Sequence, residues 1–461
     1  MSLSSVSHVR RARATASWRI AGLALLLLVG PELPAVAQDP ADRRLPAAQA
    51  AVFAAQAETW RRQLAERVMP YWYDITLDRE DGGYRLPQGD VAERPLVSQA
   101  RLIWGFSHAW RHGIRDPQRD YLAAAEHGYQ FLMSRLHDPQ HGGFYWLFSR
   151  GRVVDERKLL DGQAFVIAAL VEYYRASGDA AALRQAADLF RTVAVKARDA
   201  EHGGWHEHFE RDWRPILDPE ANLPVGMAGM KSGNALLHWI EALTALHLVS
   251  REGGGEILGE TEVGVEAALA EALDRALQDF FPEAPGRAYP YRQADWQRPL
   301  GPRFKEISYG HNLEFAWRML DAQAALGRAP LWSRFDALLD HALEHGFDHE
   351  RGGAYALGFG DRPALVTEKI WWVQAEMLAA LTTGIRHSPA PERVDALAQL
   401  LQFLTAHQID PRDGMWFDAV KADGSPWRPA KAHRGKVNDH DRRAMVRFIE
   451  TFGNGAPAAG G

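Results

Sequence analysis

Apolar residues recur at helical spacing in four long segments of the chain. The segment from Gly162 to Arg175 groups its apolar residues on one helix face. Similar segments run from Ala235 to Val249, from Asn312 to Leu326 and from Ile370 to Thr382, and they are rich in Ala, Leu, Glu and Trp. These residues favour helix formation. The pattern therefore predicts amphipathic helices distributed along the whole chain.

A polar turn followed by Gly-Gly and an aromatic residue separates the helical segments. Successive copies lie roughly 60 residues apart, which is room for two helices and a connection. A Gly-Gly step followed by an aromatic residue is typical of a tight turn with positive φ that leads into a short strand or hairpin. The copies are Asp78–Tyr84, Asp138–Phe144, Asp199–Trp205, Asp348–Tyr355, in which Ala354 precedes the aromatic residue, and Asp410–Trp416, in which Met415 replaces the second Gly.

A degenerate copy near Pro285–Tyr289 brings the number of repeat units to six. Six helical hairpins predict an all-α fold, a single-domain (α/α)6 toroid with short β-hairpins at the Gly-Gly turns. An open helical solenoid is the alternative, but it would accept any number of repeats. Six units favour a closed ring.

Composition narrows the class of protein. The chain has 461 residues, of which 46% are hydrophobic and 24% charged, and it carries a net charge of −6. That charge gives no support to nucleic-acid binding. The sequence contains no cysteine, which excludes disulfides, thiol nucleophiles and Cys-metal sites. A soluble globular enzyme or binding protein fits these values.

The N-terminal segment differs from the rest of the chain. Basic residues precede an apolar run from Ile20 to Gly30, and Ala35-Val36-Ala37 follows as a cleavage site. We expect residues 1–37 to be a signal peptide that exports the protein to the periplasm or the medium, so the mature form has no membrane segment. Residues 38–453 would form the barrel, residues 454–461 a disordered tail, and Asp212 to Met230 a long loop.

Three histidines have polar partners at helical spacing. Asn234, His238 and Glu241 share one helix face, and His311 precedes Glu314 by three residues. His440 stands three residues before Arg443 near the C-terminus. A carboxylate one turn away can orient an imidazole and raise its basicity. The sequence has no His-Glu-x-x-His motif, no phosphate loop and no dinucleotide fingerprint, so it predicts neither a metal site nor a nucleotide cofactor.

Six segments of the chain form a recognisable set when taken in order. They are Arg101–Ser107, Gly162–Phe165, Asn234–Ala242, Ser308–Glu314, Trp371–Glu376 and His440–Met445. Together they resemble the N-acylglucosamine 2-epimerase superfamily, and most closely its cellobiose 2-epimerase branch, to which mannose and sulfoquinovose aldose–ketose isomerases are related. The resemblance covers the chain from about Trp60 to Phe448.

The resemblance implies an (α/α)6 barrel that opens a sugar ring and moves the proton on C2 without a cofactor. His311 and His440 would be the acid/base pair on opposite faces of the sugar, with a cis-enediolate between the two proton transfers. Return of the proton to C2 gives an epimer, whereas return to C1 gives a ketose. Glu314 would orient His311, and Arg101 would stabilise the enediolate.

The resemblance also implies a sugar-binding set around these groups. Asn234 and His238 would hold hydroxyls and assist ring opening, Trp371 or Trp372 would stack on the pyranose, and Trp104 would pack near Arg101. We further place Glu241 in this set, because it shares the helix face of Asn234 and His238.

The chain departs from the family pattern at three places. Leu160-Asp161 replaces the usual Tyr, Leu236 replaces a His, and Gly435–Asp439 replaces an aromatic segment before His440. The last change removes a platform for a second sugar and makes His433 the substitute if His440 is misaligned.

Two other functions stay open from the sequence. A glycoside hydrolase or lyase would need two carboxylates, which Asp161, Glu241 and Glu376 could supply. A non-catalytic glycan-binding toroid is the other alternative. In each case the expected ligand is a small sugar, and the protein would be a monomer or a homodimer.

Overall fold

Helices form at the predicted places and account for most of the fold. The computed structural model describes residues 45–281, 287–360, 362 and 364–453. Its α-helices, in chain order, are α1 (Ala47–Gln63), α2 (Met69–Thr76), α3 (Leu96–Arg111), α4 (Tyr121–Phe131), α5 (Leu160–Ser177), α6 (Ala180–Lys196), α7 (Gly233–Val249), α8 (Gly255–Leu258), α9 (Thr261–Arg275), α10 (Tyr309–Ala325), α11 (Trp332–Gly346), α12 (Trp371–His387), α13 (Pro391–Phe403) and α14 (His440–Phe452).

Two concentric layers of helices make up the barrel. The inner helices α3, α5, α7, α10, α12 and α14 pack against one another in that order, and each also packs on one outer helix: α4, α6, α9, α11, α13 or α1. Inner helices are buried on most sides, as in α7, whereas the outer helix α6 buries only one apolar face. The predicted (α/α)6 toroid is therefore confirmed.

The ring closes between the first and last repeats. Helix α1 packs against α14, and the amide of Gln63 donates to the carbonyl of Gly414 at 2.7 Å. On the inner side, Ser98 Oγ donates to the carbonyl of Arg434 at 3.0 Å. These contacts join residues more than 300 positions apart, which an open solenoid would not do.

Short antiparallel strands cap the end of the barrel where the inner helices begin. They pair as β1-β2-β3, β4-β5, β6-β7, β8-β9 and β10-β11-β12. In five repeats the strand runs directly into the inner helix, as β8 does into α10. The strands are β1 (Glu93–Pro95), β2 (Leu147–Ser149), β3 (Arg152–Asp155), β4 (Lys158–Leu159), β5 (His208–Phe209), β6 (Met230–Ser232), β7 (Tyr291–Gln293), β8 (Glu306–Ser308), β9 (Leu357–Phe359), β10 (Lys369–Ile370), β11 (Ala419–Val420) and β12 (Pro426–Arg428).

The Gly-Gly copies form the predicted turns. Gly203 and Gly204 have φ of 76° and 68°, and an isolated β-bridge joins Arg198 to Trp205 across the turn. A Cβ on Gly204 would lie 2.5 Å from the ring of Trp296, so this position needs glycine for space as well as for conformation. Equivalent bridges follow the other Gly-Gly copies, which confirms the hairpin prediction.

The aspartate of each turn ties the turn to the next inner helix. Asp138 Oδ1 accepts from the backbone N–H groups of Gln140 and His141, and its Oδ2 accepts from Lys158 Nζ at 2.9 Å. Lys158 stands in β4, two residues before α5, so this buried ion pair fixes the start of that helix. The same arrangement recurs as Asp78–Arg94, Asp199–Lys231, Asp348–Lys369 and Asp410–Lys431.

The remaining sequence predictions concern a long loop, the two ends of the chain and the degenerate repeat. Residues 210–229 join β5 to β6 as the predicted long loop, held by a 2.9 Å hydrogen bond between His208 Nε2 and the carbonyl of Val225. The predicted signal peptide, the predicted C-terminal tail and Pro285-Gly286 of the degenerate repeat lie outside the described residues. Within the described part, none of the helices has the length and apolar character needed to cross a bilayer.

Candidate active site

One position of the inner helices supplies a side chain to the channel in every repeat. The sixth residue is Arg101 in α3, Phe165 in α5, His238 in α7, Glu314 in α10 and Glu376 in α12. Helix α14 begins two residues further along the repeat than the other inner helices do, so the equivalent residue is its fourth, Arg443. Because each helix is anchored by the same strand and turn, these six side chains converge.

Contacts between neighbours show that the six residues form a ring. The guanidinium of Arg101 lies 4.2 Å from the centre of the Phe165 ring, and that ring lies 4.2 Å from the ring of His238. Arg443 Nη2 donates to Glu376 on the neighbouring helix at 2.8 Å and to Glu314, one helix further around the ring, at 3.2 Å. The structure thus brings Arg101, His238 and Glu314, all named from the sequence, to one site.

His440 is held firmly by a carboxylate. Its Nδ1 lies 2.6 Å from Glu376 Oε1, and the other oxygen of Glu376 accepts from Trp317 Nε1 at 2.8 Å. A hydrogen bond from Nδ1 to a carboxylate fixes the tautomer and leaves Nε2 free to exchange a proton. Nε2 lies 3.7 Å from Asp439 Oδ2. Glu376 was named from the sequence only as a possible hydrolase carboxylate, yet it orients one of the two histidines.

His311 stands at the third position of α10 and is held differently. The Oγ of Ser308 caps α10 by accepting from the backbone N–H of His311 at 3.3 Å. The imidazole lies beside Trp372, with ring centres 4.7 Å apart. Burial lowers the pKa of His311 to about 4, against an opposing effect of the Glu314 carboxylate. His311 is therefore neutral at neutral pH and can accept a proton.

Glu314 pairs with arginines rather than with His311. Its Oε1 accepts from Arg318 Nε at 3.1 Å and from Arg443 Nη2 at 3.2 Å. No hydrogen bond joins Glu314 to His311, both of which the structure describes. The prediction that Glu314 orients His311 is therefore corrected: in this structure its influence on His311 is electrostatic.

Two arginines neutralise the carboxylates below the histidines. Arg318 Nη2 lies 2.7 Å from Glu241 Oε1, and Arg443 Nη1 lies 3.7 Å from the same oxygen. Although burial alone would raise the pKa of Glu241, Arg318, His238 and Arg443 lower it to about 2. The pKa of Glu314 falls well below its usual value because Arg318, His440 and Arg443 outweigh its burial. Both carboxylates are ionised at neutral pH.

The predicted face of α7 is present in the structure. His238 Nδ1 lies 3.2 Å from Glu241 Oε2, which fixes the imidazole ring one turn above that carboxylate. Asn234 lines a small cavity of about 90 Å³ together with His311, Asn312 and Tyr291. Asn234 and His311 therefore open onto the same space, although they come from different repeats.

The three tryptophans occupy different environments. Trp371 is 2% exposed and lies under Lys436, whose Nζ is 3.9 Å from its ring, so its face is not available to a sugar. Trp372 is half-buried between His311 at 4.7 Å and His440 at 5.9 Å. Of the two predicted stacking residues, Trp372 alone fits that role.

Trp104 was expected near Arg101, but its contacts lie elsewhere. It packs on the ring of His108 at 4.5 Å and on the guanidinium of Arg442 at 4.9 Å. The aromatic partner of Arg101 is Phe165 instead. Phe165 therefore takes the place beside Arg101 that the sequence predicted for Trp104.

Asp439 is a site residue that the sequence interpretation missed. Its Oδ2 lies 3.0 Å from Arg101 Nε, and the residue is buried. Since it directly precedes His440, its position in the sequence was a usable signal. The structure also separates His440 from His433, which lies outside the ring and pairs with Asp418 at 3.3 Å.

Asp161 stands at the second position of α5 and borders the same channel. Its Oδ1 accepts from the backbone N–H of Gly162 at 2.7 Å. Burial raises the pKa of Asp161, although His238, His208 and Arg101 all act in the opposite direction. The carboxyl group of Asp161 therefore keeps its proton to a higher pH than an exposed aspartate does.

Two groups of ligand atoms are close enough to hold a metal ion. One is formed by His238, Glu241 and Glu314, the other by Glu314, Glu376 and His440, and within each group the atoms lie within 4.8 Å of one another. Imidazole and carboxylate ligands suit a divalent cation. However, Arg318 and Arg443 already bind these carboxylates, and their positive charges oppose a cation at the same place.

Known proteins with similar sequences are sugar epimerases and isomerases. The chain is 26% identical over 404 residues to a cellobiose 2-epimerase of Eubacterium cellulosolvens, covering 85% of this chain and 97% of the relative. It is 23% identical over 420 residues to a D-mannose isomerase of Marinomonas mediterranea, covering 86% and 98%. Both relatives belong to the enzyme class that the sequence predicted, carbohydrate epimerases and isomerases, and that prediction is confirmed.

A solved structure agrees with these relatives. The cellobiose 2-epimerase of Spirochaeta thermophila superimposes with a TM-score of 0.76 at 26% identity, covering 88% of this chain and 99% of that one. The sequence model of one family, N-acylglucosamine 2-epimerase (GlcNAc 2-epimerase), matches residues 87–438. Those residues include five of the six inner helices, all but α14. The chain belongs to the N-acylglucosamine 2-epimerase family.

Proposed function

We propose that this protein is a sugar 2-epimerase or aldose–ketose isomerase that transfers a proton at C2 of a free reducing sugar. One observation carries the proposal: His311 and His440 flank the half-buried Trp372, at 4.7 Å and 5.9 Å between ring centres. An aromatic face between two imidazoles suits a pyranose with a base on each side.

The reaction needs a base with a neutral form at physiological pH. Once the ring is open, the carbonyl at C1 acidifies the C2 proton. His311 accepts that proton, and the C2–H electron pair moves toward C1 so that the carbonyl oxygen becomes negative in a cis-enediolate. His440, whose Nδ1 is bonded to Glu376, delivers a proton from Nε2 to the other face of C2 and gives the epimer. Delivery to C1 instead, with the O2 hydroxyl proton passing to O1, gives the ketose.

The negative oxygen of the enediolate needs a positive partner. Arg101 is half-buried at the channel wall, and it is held in place by the Phe165 ring at 4.2 Å and by Asp439 at 3.0 Å. A guanidinium fixed before the reaction stabilises developing charge without reorganising. His238 and Asn234 would hold hydroxyl groups, and Asp161 would donate a hydrogen bond to the ring oxygen as the ring opens.

The arrangement of carboxylates disfavours glycoside hydrolysis. That chemistry requires one protonated and one free carboxyl group on either side of the bond. Glu241 is paired with Arg318. Glu376 is hydrogen-bonded to Arg443, Trp317 and His440. Both carboxylates are therefore already engaged by side chains of the protein. Only Asp161 is placed to act as an acid.

Proton NMR in D2O tests the proposal directly. We would incubate the full chain with glucose, mannose, N-acetylglucosamine, cellobiose and mannobiose and follow the C2 proton and any new anomeric or ketose signal. Loss of the C2 signal together with a new product signal, with product formation strongly reduced in His311→Ala and His440→Ala but retained in His433→Ala, supports the proposal. If no sugar exchanges its C2 proton, the proposal fails for this panel.

A further inference from the structure

A second cavity, of about 510 Å³, opens beside the strands that lead into α7 and α10. Its size is within the range of small-molecule sites. The basic and aromatic residues among its lining are Arg287, Tyr289, Arg298, Phe304, Lys305 and Phe359. None of the described lining residues carries a carboxylate. We refer to these six residues as the basic cavity.

The charge of the basic cavity is opposite to that of the chain. The protein has a net charge of −6, so a group of three cations around one cavity does not reflect a generally basic surface. Arg298 and Lys305 form no ion pair with any carboxylate among the described residues. Two such cations at one cavity create a local positive potential that attracts anions.

Aromatic rings give the basic cavity a second property. The guanidinium of Arg298 lies 3.3 Å from the centre of the Tyr289 ring, which holds this long side chain flat against the cavity wall. Although burial acts in the other direction, hydrogen bonds from Arg287 and Arg298 lower the pKa of Tyr289. The rings of Phe304 and Phe359 also line the space, and Leu300 at its mouth is 91% exposed. Flat apolar surfaces with fixed cations suit a sugar ring that bears an anionic group.

The basic cavity adjoins the proposed reaction channel. Tyr289 lines the basic cavity, while Tyr291, two residues on, lines the small cavity that also contains His311 and Asn234. The ring of Tyr291 lies 6.2 Å from the ring of Phe304, edge to face, so an aromatic wall joins the two spaces. Strand β8 makes a second link, because it begins directly after Lys305 and leads through Ser308 into α10.

We propose that the basic cavity binds a carboxylate-bearing sugar unit, a uronic acid, of an oligosaccharide whose reducing end enters the channel. The carboxylate would accept hydrogen bonds from Arg298 and Lys305, and the pyranose would pack on Phe304 and Phe359. The link to the reducing end rests on the proposed sugar chemistry, but binding by the cavity does not depend on turnover.

A matched pair of disaccharides tests the proposal. Cellobiose and its acidic counterpart, glucuronic acid β-1,4-linked to glucose, differ only at C6 of the non-reducing unit. We would measure Kd by titration calorimetry at low ionic strength for the full chain, for Arg298→Gln/Lys305→Gln, and for Arg62→Gln as a control that removes one exposed charge on α1. Circular dichroism verifies that each variant is folded.

We expect the acidic disaccharide to bind about tenfold more tightly than cellobiose, as two charge-assisted contacts allow. The double variant should lose this preference, and Arg62→Gln should keep it. Equal binding of both sugars, or a preference that survives in the double variant, would overturn the proposal. So would displacement of the acidic disaccharide by equimolar sulfate, which would mark a general anion site.

These titrations, together with the NMR measurement of C2 exchange, separate this inference from the proposed function. If the acidic sugar binds through Arg298 and Lys305 but no sugar exchanges its C2 proton, the cavity proposal stands and the proposed function fails. If C2 exchange occurs on both sugars with equal affinity, the proposed function stands and the cavity proposal fails.

Discussion

His311 and His440 occupy equivalent places in the fourth and sixth repeats, yet their surroundings differ. Each stands three positions before the ring residue of its own helix, which is Glu314 in α10 and Arg443 in α14. His440 is hydrogen-bonded to Glu376 through Nδ1, whereas His311 has an aromatic neighbour and a capped backbone N–H. The repeat therefore places the two histidines at equivalent positions, and the side chains around each of them make the two bases chemically different.

The difference indicates a division of labour between the two bases. A histidine with its Nδ1 bound to a carboxylate keeps one tautomer and one orientation, which suits the delivery of a proton to a defined face. A buried histidine with a lowered pKa stays neutral and suits proton removal. The predictions below test whether this division is real.

The largest effect should come from removing either histidine. We expect His311→Ala and His440→Ala each to lower the rate of epimer or ketose formation by about 10² to 10⁴, the usual contribution of an acid/base group. If the bases act on opposite faces, each variant should still exchange the C2 proton of one epimer without inverting it. The measurement is deuterium incorporation at C2, starting separately from each epimer.

A symmetric outcome would contradict the division of labour. If both variants lose exchange from both epimers to the same extent, the two histidines do not act on separate faces. His433→Ala is the control, because this histidine lies outside the ring and pairs with Asp418.

The aromatic residue between the bases should come next in effect. Trp372→Ala removes the half-buried aromatic face that lies beside both imidazoles, and we expect kcat/KM to fall by about 10-fold or more, since the loss of an aromatic contact costs about 1.5 kcal/mol. Trp372→Phe should restore most of it. Trp371→Phe is the comparison: because Trp371 is buried under Lys436, it should alter stability more than KM. Equal KM changes in both would be evidence against stacking on Trp372.

Substitutions of the two carboxylates near the histidines should have smaller effects. These effects should differ between Glu376, which holds His440, and Glu314, which lies near His311. Glu376→Gln keeps the shape but replaces the oxygen that accepts from Nδ1, so we expect kcat to fall by about 10-fold with little change in KM. Glu314→Gln leaves the position of His311 unchanged and should lower kcat less. The opposite ranking, measured by initial rates on the same sugar, would show that Glu314 is the orienting residue after all.

The fold and several of the ring residues could be predicted from the sequence, but from different signals. The period of the Gly-Gly turns predicted six helical hairpins, and glycine marks the turns because it adopts positive φ there, at both positions in four copies and at Gly414 alone in the last. Arg101, His238 and Glu314 came from helical spacing and resemblance together. The Asp138–Lys158 pair and its counterparts were not predicted, since they join residues 16 to 32 positions apart without a periodic pattern.

The missed site residues share one cause. Phe165 and Glu376 join the ring only because the six helices have the same register, which the sequence alone does not align. Asp439 and Arg318 act through side-chain contacts across helices, with Arg101 and with Glu241. Trp371 and Trp372 are adjacent in sequence, and only packing decides that Lys436 covers one of them. Spacing within a helix predicts neighbours on that helix and not partners on the next.

The smallest effect is a shift along the pH axis. Because burial lowers the pKa of His311 to about 4, a neutral His311 should be lost only as pH falls through that value, and kcat/KM should have its acid limb near pH 4. The Glu314 carboxylate raises the pKa of His311, so Glu314→Gln should move this limb to lower pH. Asp321→Asn, on the same helix but paired with Arg447 away from the ring, should leave it in place. A limb near pH 6.5, the ordinary pKa of histidine, would mean that His311 is not the base that must be neutral, and the roles assigned to the two histidines would then have to be exchanged.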